Sequence, residues 1–258
     1  MNPTDNSTPP AVWQQEFMLH SYDVDFKKSA SLETVCRYFL EGAWNHAEAL
    51  SVGFQELANR GQLWVLSRFL VNIQSYPNWG DTITVRTWPR HARSVFAMRD
   101  FRLVGPTGQI MATGSSAWLV LDRKTRKPQR IDRIAEQIRA TSAERATERD
   151  PAKLPALAAH QPGMNIHVRY SDVDVNGHVN SCRYVSWLLD TYPLEWHQQH
   201  QALALEVNYL GETLDGDQLG LDCDRSPTDG HLFSLTSLKG GREVCRARLL
   251  WQRLGSKA

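Results

Sequence analysis

From Phe17 onward, apolar and polar positions alternate with two different periods. In "SASLETVCRYFLEGAWNHAEAL", Leu32, Val35, Cys36, Phe39, Leu40 and Ala43 recur at helical spacing, and the stripe continues to Leu50. A long helix with one apolar stripe is predicted. Ser31 is suited to cap its start, and Glu33 falls in the first turn, where the helix dipole favours a negative charge. Before it, "EFMLHSYDVDF" reads as a strand by its apolar and aromatic content. After Gly61 the period shortens. "LWVLSRFLVNIQSYP", "DTITVRTWPR", "VFAMRDFRLVGPTGQ" and "IMATGSSAWLVLDRKT" read as successive strands, separated by Pro-Asn-Trp-Gly-Asp, a basic bend and Gly-Pro-Thr-Gly. A helix followed by an antiparallel meander is an α+β pattern in which the sheet covers the helix.

From Arg123 to Pro162 the text turns basic, then rich in Ala, Glu and Arg, which predicts a short helix and a linker. Beyond it the first pattern returns. "VRYSDVDVNGH" reads as strand and turn. Val185, Leu188, Leu189 and Tyr192 predict a helix that Pro193 kinks or interrupts. Four further strand candidates follow: "LALEVNYLGETL", "DQLGLDCDRS", "HLFSLTSLKGG" and "EVCRARLLWQRL".

The two halves also share short words in the same order. Asp-Val-Asp stands at 23–25 and 172–174, Cys-Arg-Tyr at 36–38 and 182–184, and Gly-Asp at 80–81 and 216–217. This order reads as an internal duplication. Two copies of a helix wrapped by an antiparallel sheet suggest a tandem hotdog architecture. The expected divisions are a disordered N-terminus (1–14), an N-terminal hotdog domain (15–140), a linker (141–162) and a C-terminal hotdog domain (163–258).

Composition narrows the function. Of 258 residues, 41% are hydrophobic and 22% charged, as in soluble globular proteins. A formal net charge of +1 argues against a chain built mainly to bind nucleic acid. Cys36, Cys182, Cys223 and Cys245 form no C-x-x-C pair, which leaves reduced, buried thiols as the expectation. No cofactor or metal spacing is present. No apolar run reaches membrane-spanning length, and "MNPTDNSTPP" lacks the pattern of a signal peptide, so a cytoplasmic setting is expected. Nine tryptophans fit either two aromatic-rich cores or the lining of an apolar cavity.

The densest polar cluster is "YSDVDVNGHVNSCRYVSWLLD". Asn176-Gly177 is a strong turn dipeptide, and Asn180 is placed to cap the next helix. The same residues also carry chemistry. In extended backbone, alternate side chains share a side, so Asp174, Asn176 and His178 would converge. A carboxylate can fix the tautomer of a histidine, an amide can donate to a developing oxyanion, and free helix N–H groups add to the field. No Gly-x-Ser-x-Gly elbow competes for this role.

Together with "EGAWNHAEALSVGF", "YPNWGDTITVRTWPR", "MRDFRL" and "SSAWLVLDRKTRKPQRI", that motif resembles the acyl-acyl carrier protein thioesterases of the plant plastid and bacterial type, over about Phe17 to Arg253. The resemblance implies a tandem hotdog fold and hydrolysis of a fatty acyl thioester on a carrier protein's phosphopantetheine arm. It places the family's aspartate, asparagine and histidine on Asp174, Asn176 and His178, and a downstream acid on Glu212. Two departures stand out. Gly177 occupies a position that is often Gln in the family, with a side chain expected to point away from the site. Thr213 stands where many plant members have a cysteine, which excludes a cysteine nucleophile there and favours carboxylate-driven chemistry. In that reading Glu212 or Asp174 activates water or attacks the carbonyl, His178 orients the machinery and protonates the thiol, and Asn176 holds the oxygen.

The first half has Asp25 and then Phe26-Lys27-Lys28 at the motif, so one catalytic centre per chain is expected, in the second half. The first half would wall the acyl tunnel, with Trp44, Trp64, Phe69 and Trp118 as either wall or plain core. His46 is expected to be structural or a wall residue. The basic run reads either as a solvated surface or as a docking patch for an acidic carrier protein on Arg123, Lys124, Arg126, Lys127 and Arg130. The alternatives to a carrier-protein substrate are an acyl-CoA thioesterase and a non-catalytic acyl-binding protein. A duplicated chain is compatible with a monomer or a homodimer.

Overall fold

The computed structural model describes residues 10–90, 95–131, 144–158, 161–226, 228 and 230–255. Strands β1 (Trp13–Met18), β2 (Gln62–Ile73), β3 (Thr82–Pro89), β4 (Ala97–Val104) and β5 (Ile110–Asp122) come from the first half. Strands β6 (Gln161–His167), β7 (His200–Tyr209), β8 (Gln218–Asp224), β9 (His231–Ser237) and β10 (Glu243–Arg253) come from the second. They form one sheet in the order β1-β3-β4-β5-β2-β7-β10-β9-β8-β6. Outward from the centre, each half runs second strand, fifth, fourth, third, first. The halves are joined where Arg68–Asn72 of β2 pairs antiparallel with Ala204–Asn208 of β7.

The long helix α1 (Leu32–Ala49) starts as its sequence dictates, with Ser31 Oγ accepting from Thr34 N at 3.0 Å. Val35, Cys36 and Phe39 are fully buried against the sheet. Gly42 lets the helix lie close to β3, because a β-carbon there would sit 3.0 Å from Val85 Cγ1. A short helix α2 (Phe54–Asn59) follows, too brief for periodicity to announce it. In the second half α3 (Ser181–Asp190) packs against α1, and Pro193 begins a separate helix α4 (Leu194–Gln199). Proline suits that N-cap position because its missing N–H has no helical partner there.

One apolar cluster runs through both halves and joins Phe39, Phe69 and Phe101 to Leu188, Leu205 and Phe233. This departs from two separate aromatic cores: the β2–β7 pair and the α1–α3 contact merge them. A small second cluster lies beneath α2, around Val52, Leu57 and Val120. β1 begins at Trp13, inside the stretch expected to be disordered, and the Pro10 carbonyl already has a partner in His46. Residues 1–9, and 132–143 within the stretch expected to hold the short helix and linker, lie outside the described residues.

Residues 144–154 cross the opposite face of the sheet as a strap. The alternation of β7 explains it: Leu205 and Val207 join the core, while Glu206 and Asn208 face the other way. Glu206 accepts from Arg149 Nη1 and Nη2 at 2.8 and 2.7 Å and from Ala152 N at 2.5 Å. Asn208 exchanges hydrogen bonds with Leu154 N at 2.8 Å and Ala152 O at 2.9 Å. The fully buried Asp100 accepts from Ala146 N at 2.7 Å and Arg90 Nε at 2.8 Å.

Candidate active site

The segment from Asp172 to Asn180 is a closed loop. Its base is the bridge between Val173 and Val179, with Asp174 N donating to His178 O at 2.8 Å. Inside it, Gly177 N donates to Asp174 O at 2.9 Å and Asn176 N donates to the Asp174 carboxylate at 2.8 Å. Gly177 sits at φ +77°, the left-handed region that glycine occupies without strain. The expected extended backbone is therefore overturned. Asp174, Asn176 and His178 are gathered by a turn, and a side chain at Gly177 would be strained rather than merely directed away.

Two anchors place this loop. Asp172, nearly fully buried, accepts from Arg169 N at 2.9 Å and Arg183 Nε at 2.8 Å. Val179 N donates to Thr213 O at 2.9 Å, which ties the loop to the segment just after β7. Asn180 Oδ1 then caps α3 by accepting from Cys182 N at 2.9 Å. The tie to Thr213 brings Glu212 beside the imidazole: His178 Nε2 lies 3.5 Å from Glu212 Oε2. Both side chains are partly exposed. The Asp174 carboxylate, by contrast, bonds its own turn.

All four candidates open onto one cavity of about 810 Å³. Its far wall belongs to the first half and includes Leu40, Trp44, Phe54, Trp64 and Trp118. Leu40 and Ala47, on the apolar stripe of α1, face this space and are only partly buried. Phe69 is no wall residue; it is fully buried, edge-on to Phe101.

Thr213, the four cysteines and His46 are all buried. Thr213 is buried and accepts from Tyr184 OH at 2.8 Å. The four cysteines are unpaired and buried. Burial raises the Cys36 and Cys245 thiols and pushes Cys182 up to about 12, so these thiols stay protonated. His46 is fully buried, with Nε2 3.0 Å from Pro10 O and Arg99 Nη1 donating to Nδ1 at 3.1 Å. Burial and the Arg99 charge lower it to about 4. Among the described residues no cluster of His, Cys, Asp or Glu could hold a metal ion, and no helix is long and apolar enough to cross a membrane.

The family model for the acyl-ACP (acyl carrier protein) thioesterase N-terminal domain matches residues 10–141, and that for the C-terminal domain matches residues 158–253. The chain belongs to the acyl-ACP thioesterase family. It is 30% identical over 258 residues to a chloroplastic acyl-[acyl-carrier-protein] hydrolase of Cuphea viscosissima, covering 93% of this chain and 63% of that one. It is 29% identical over 265 residues to the chloroplastic palmitoyl-acyl carrier protein thioesterase of Arabidopsis thaliana, covering 93% and 64%. The chain thus spans slightly less than two thirds of the length of these relatives. Among solved structures, the 12:0-ACP thioesterase of Umbellularia californica superposes with a TM-score of 0.83 at 28% identity, covering 95% of this chain and 98% of that one. An acyl-ACP thioesterase of Bacteroides thetaiotaomicron gives 0.79 at 26%, covering 94% and 98%.

In this acyl-ACP thioesterase family member the first half repeats the loop's hydrogen bonds with different side chains. Lys27 N donates to the Asp25 carboxylate at 2.8 Å, as Asn176 N does to Asp174. Ala30 N donates to Pro77 O at 2.8 Å, as Val179 N does to Thr213 O. In this register Lys27 replaces Asn176, Ser29 replaces His178 and Tyr76 replaces Glu212. The Cys-Arg-Tyr words, however, are out of step. Cys36 lies five residues after the capping Ser31, and Cys182 two after the capping Asn180. Arg126, placed with the docking run, reaches over from the first half: its Nη2 pairs with Glu212 Oε2 and donates to His178 Nε2 at 3.3 Å.

Proposed function

We propose that the chain hydrolyses the thioester of a fatty acyl group on the phosphopantetheine arm of acyl carrier protein and releases the free fatty acid. The observation that carries this reading is the pair His178 Nε2 and Glu212 Oε2, 3.5 Å apart at one end of a cavity whose far wall is aromatic and aliphatic. The acyl chain lies along Leu40, Trp44 and Trp118, and its carbonyl carbon meets water held by the pair. The water oxygen adds to the carbonyl carbon, and its proton passes to the Glu212–His178 pair. The oxyanion is met by the Asn176 amide. Collapse breaks the carbon–sulfur bond, and the leaving sulfur takes its proton from His178. The turn hydrogen bond of Asp174 favours Glu212 as the working carboxylate and Asp174 as the group that shapes the loop.

The names of the relatives support a carrier-protein substrate. Arg123, Lys124, Lys127 and Arg130, on or just after the turn that follows β5, would meet an acidic carrier, while the Arg126 side chain is taken up by Glu212. The domain division is part of the same proposal: the first half, from β1 at Trp13, supplies the wall, and the second half, from β6 at Gln161, the reacting groups. The unpaired cysteines suit a reducing, cytoplasmic setting, whereas the curated relatives are named chloroplastic.

The deciding measurement is thiol release from acyl-carrier-protein and acyl-CoA substrates of several chain lengths. Faster turnover of the carrier-bound series is expected. Preference for CoA would replace the partner, and tight acyl binding without thiol release would sink the enzymatic reading.

A further inference from the structure

The turn after β5 is built to deliver one side chain. The Asp122 carboxylate accepts from Lys124 N at 3.0 Å, Thr125 N at 2.7 Å and the Thr125 hydroxyl at 2.9 Å. Arg126 N donates to Asp122 O at 2.9 Å, and Asp122 N donates to Lys127 O at 3.0 Å. The bridge from Leu121 to Pro128 closes the turn. Within it Arg126 is held at φ +58°, where a side chain is strained and glycine is favoured. A strained non-glycine residue beside a site is a sign that its side chain is used.

The use is visible. Arg126 Nη2 faces both Glu212 Oε2 and His178 Nε2. A guanidinium carries only donors, so the nitrogen it faces on His178 must be an acceptor. The ring proton is then on Nδ1. Without the guanidinium, Nε2 and Oε2 at 3.5 Å would be two lone-pair atoms facing each other. The imidazole would relieve this by taking the Nε2–H tautomer and donating to Glu212.

We infer that Arg126 is a positioning residue of the second half's site, supplied by the first half, which holds His178 in the Nδ1–H tautomer with Nε2 as acceptor beside the Glu212 carboxylate. The hydrolytic centre is therefore composite. The kinetic consequence rests on the hydrolytic reading above; the tautomer does not.

Arg126→Gly is the informative variant, because it removes the side chain and relieves the backbone strain together. In the full chain with ¹⁵N-labelled histidine, long-range ¹H–¹⁵N correlation at alkaline pH should show the Nδ1–H form of His178 in the wild type. It should show a shift toward Nε2–H in Arg126→Gly and recovery in Arg126→Lys. The thermal midpoint of Arg126→Gly should equal or exceed that of the wild type. Its kcat should fall about 10-fold or more, short of the ~10²–10⁴ of a lost acid or base. That fall should appear with acyl-carrier-protein and with a small acyl-pantetheine thioester alike. An unchanged tautomer in Arg126→Gly overturns the inference. So does a higher KM for the carrier substrate with an unaltered kcat on the small thioester, which would make Arg126 a docking residue only. If the wild type cleaves no thioester, the proposed function falls, and the spectrum still decides the role of Arg126.

Discussion

His178 Nε2 and Glu212 Oε2 lie 3.5 Å apart, although two helices and a strand separate the residues in the chain. The tie from Val179 N to Thr213 O makes this neighbourhood, and neither side chain is needed to form it. Both are partly exposed, so their removal should leave the fold intact. His178→Ala and Glu212→Gln are expected to lose at least about 100-fold in thiol release, the lower end for a positioned acid or base. Circular dichroism and thermal midpoints should match the wild type. Turnover within a few-fold of wild type in both variants would remove the pair from the mechanism.

Asp174 separates shape from charge. Its carboxylate accepts from Asn176 N in a turn of the kind that asparagine also forms. Asp174→Asn is expected to keep that bond and stay within about 10-fold of wild type, well inside the ~10²–10⁴ range of a lost base. Asp174→Ala should lose about 100-fold, because the loop that carries Asn176 and His178 loosens. Equal, deep losses in both variants would instead make the Asp174 charge the working base. Steady-state kinetics of the two proteins decides.

Local text carried most of the fold. The helical stripe from Leu32, the strand periods and the caps at Ser31 and Asn180 all rest on contacts within a few residues, which a sequence displays directly. Asp174, Asn176 and His178 stand together in one local loop and so show as candidates in the sequence, whereas Glu212 is marked only by the family resemblance. What stayed hidden is long-range. Arg126 looks like any member of a basic run, and only the tertiary fold turns it toward Glu212. Asn-Gly announces the turn that the chain adopts but not how far it curls, and only the extended arrangement of Asp174, Asn176 and His178 is overturned. The shared Cys-Arg-Tyr words marked a duplication but not its register, which the backbone hydrogen bonds define. α2 holds too few turns to show a period.

Buried His46 makes stability depend on pH. The imidazole titrates at 6.5 when unperturbed and at about 4 in the fold, because burial and Arg99 disfavour the charged form. Above pH 6.5 it is neutral in both states, and its contribution is fully present. As pH falls from 6.5 to about 4, the unfolded chain takes up a proton that the fold refuses, so stability declines; below about 4 this group costs nothing further. The whole loss is about 3 kcal/mol. Urea unfolding across that window should show a smaller decline in His46→Gln, whose amide can still accept from Arg99 and donate to Pro10. An identical decline in both proteins would assign it to other groups.

The strap across the outer face offers the sharpest stability test. Glu206 is 3% exposed, and Arg149 supplies both of its charged hydrogen bonds while itself remaining about half exposed. The cost of breaking this pair is therefore unequal between partners. Arg149→Ala leaves a desolvated carboxylate with only Ala152 N among the described residues to meet it, and should cost about 3 kcal/mol. Glu206→Gln removes the buried charge, keeps an oxygen for Ala152 N, and releases an arginine that water can solvate; about 1 kcal/mol is expected. The double variant should then be more stable than Arg149→Ala alone, since its second change deletes the charge that the first left unpaired. Urea midpoints of the three proteins measure this order. Simple additivity of the two losses would mean that the pair contributes as a surface ion pair does, and that the strap is held by its backbone bonds to Asn208 and Asp100 instead.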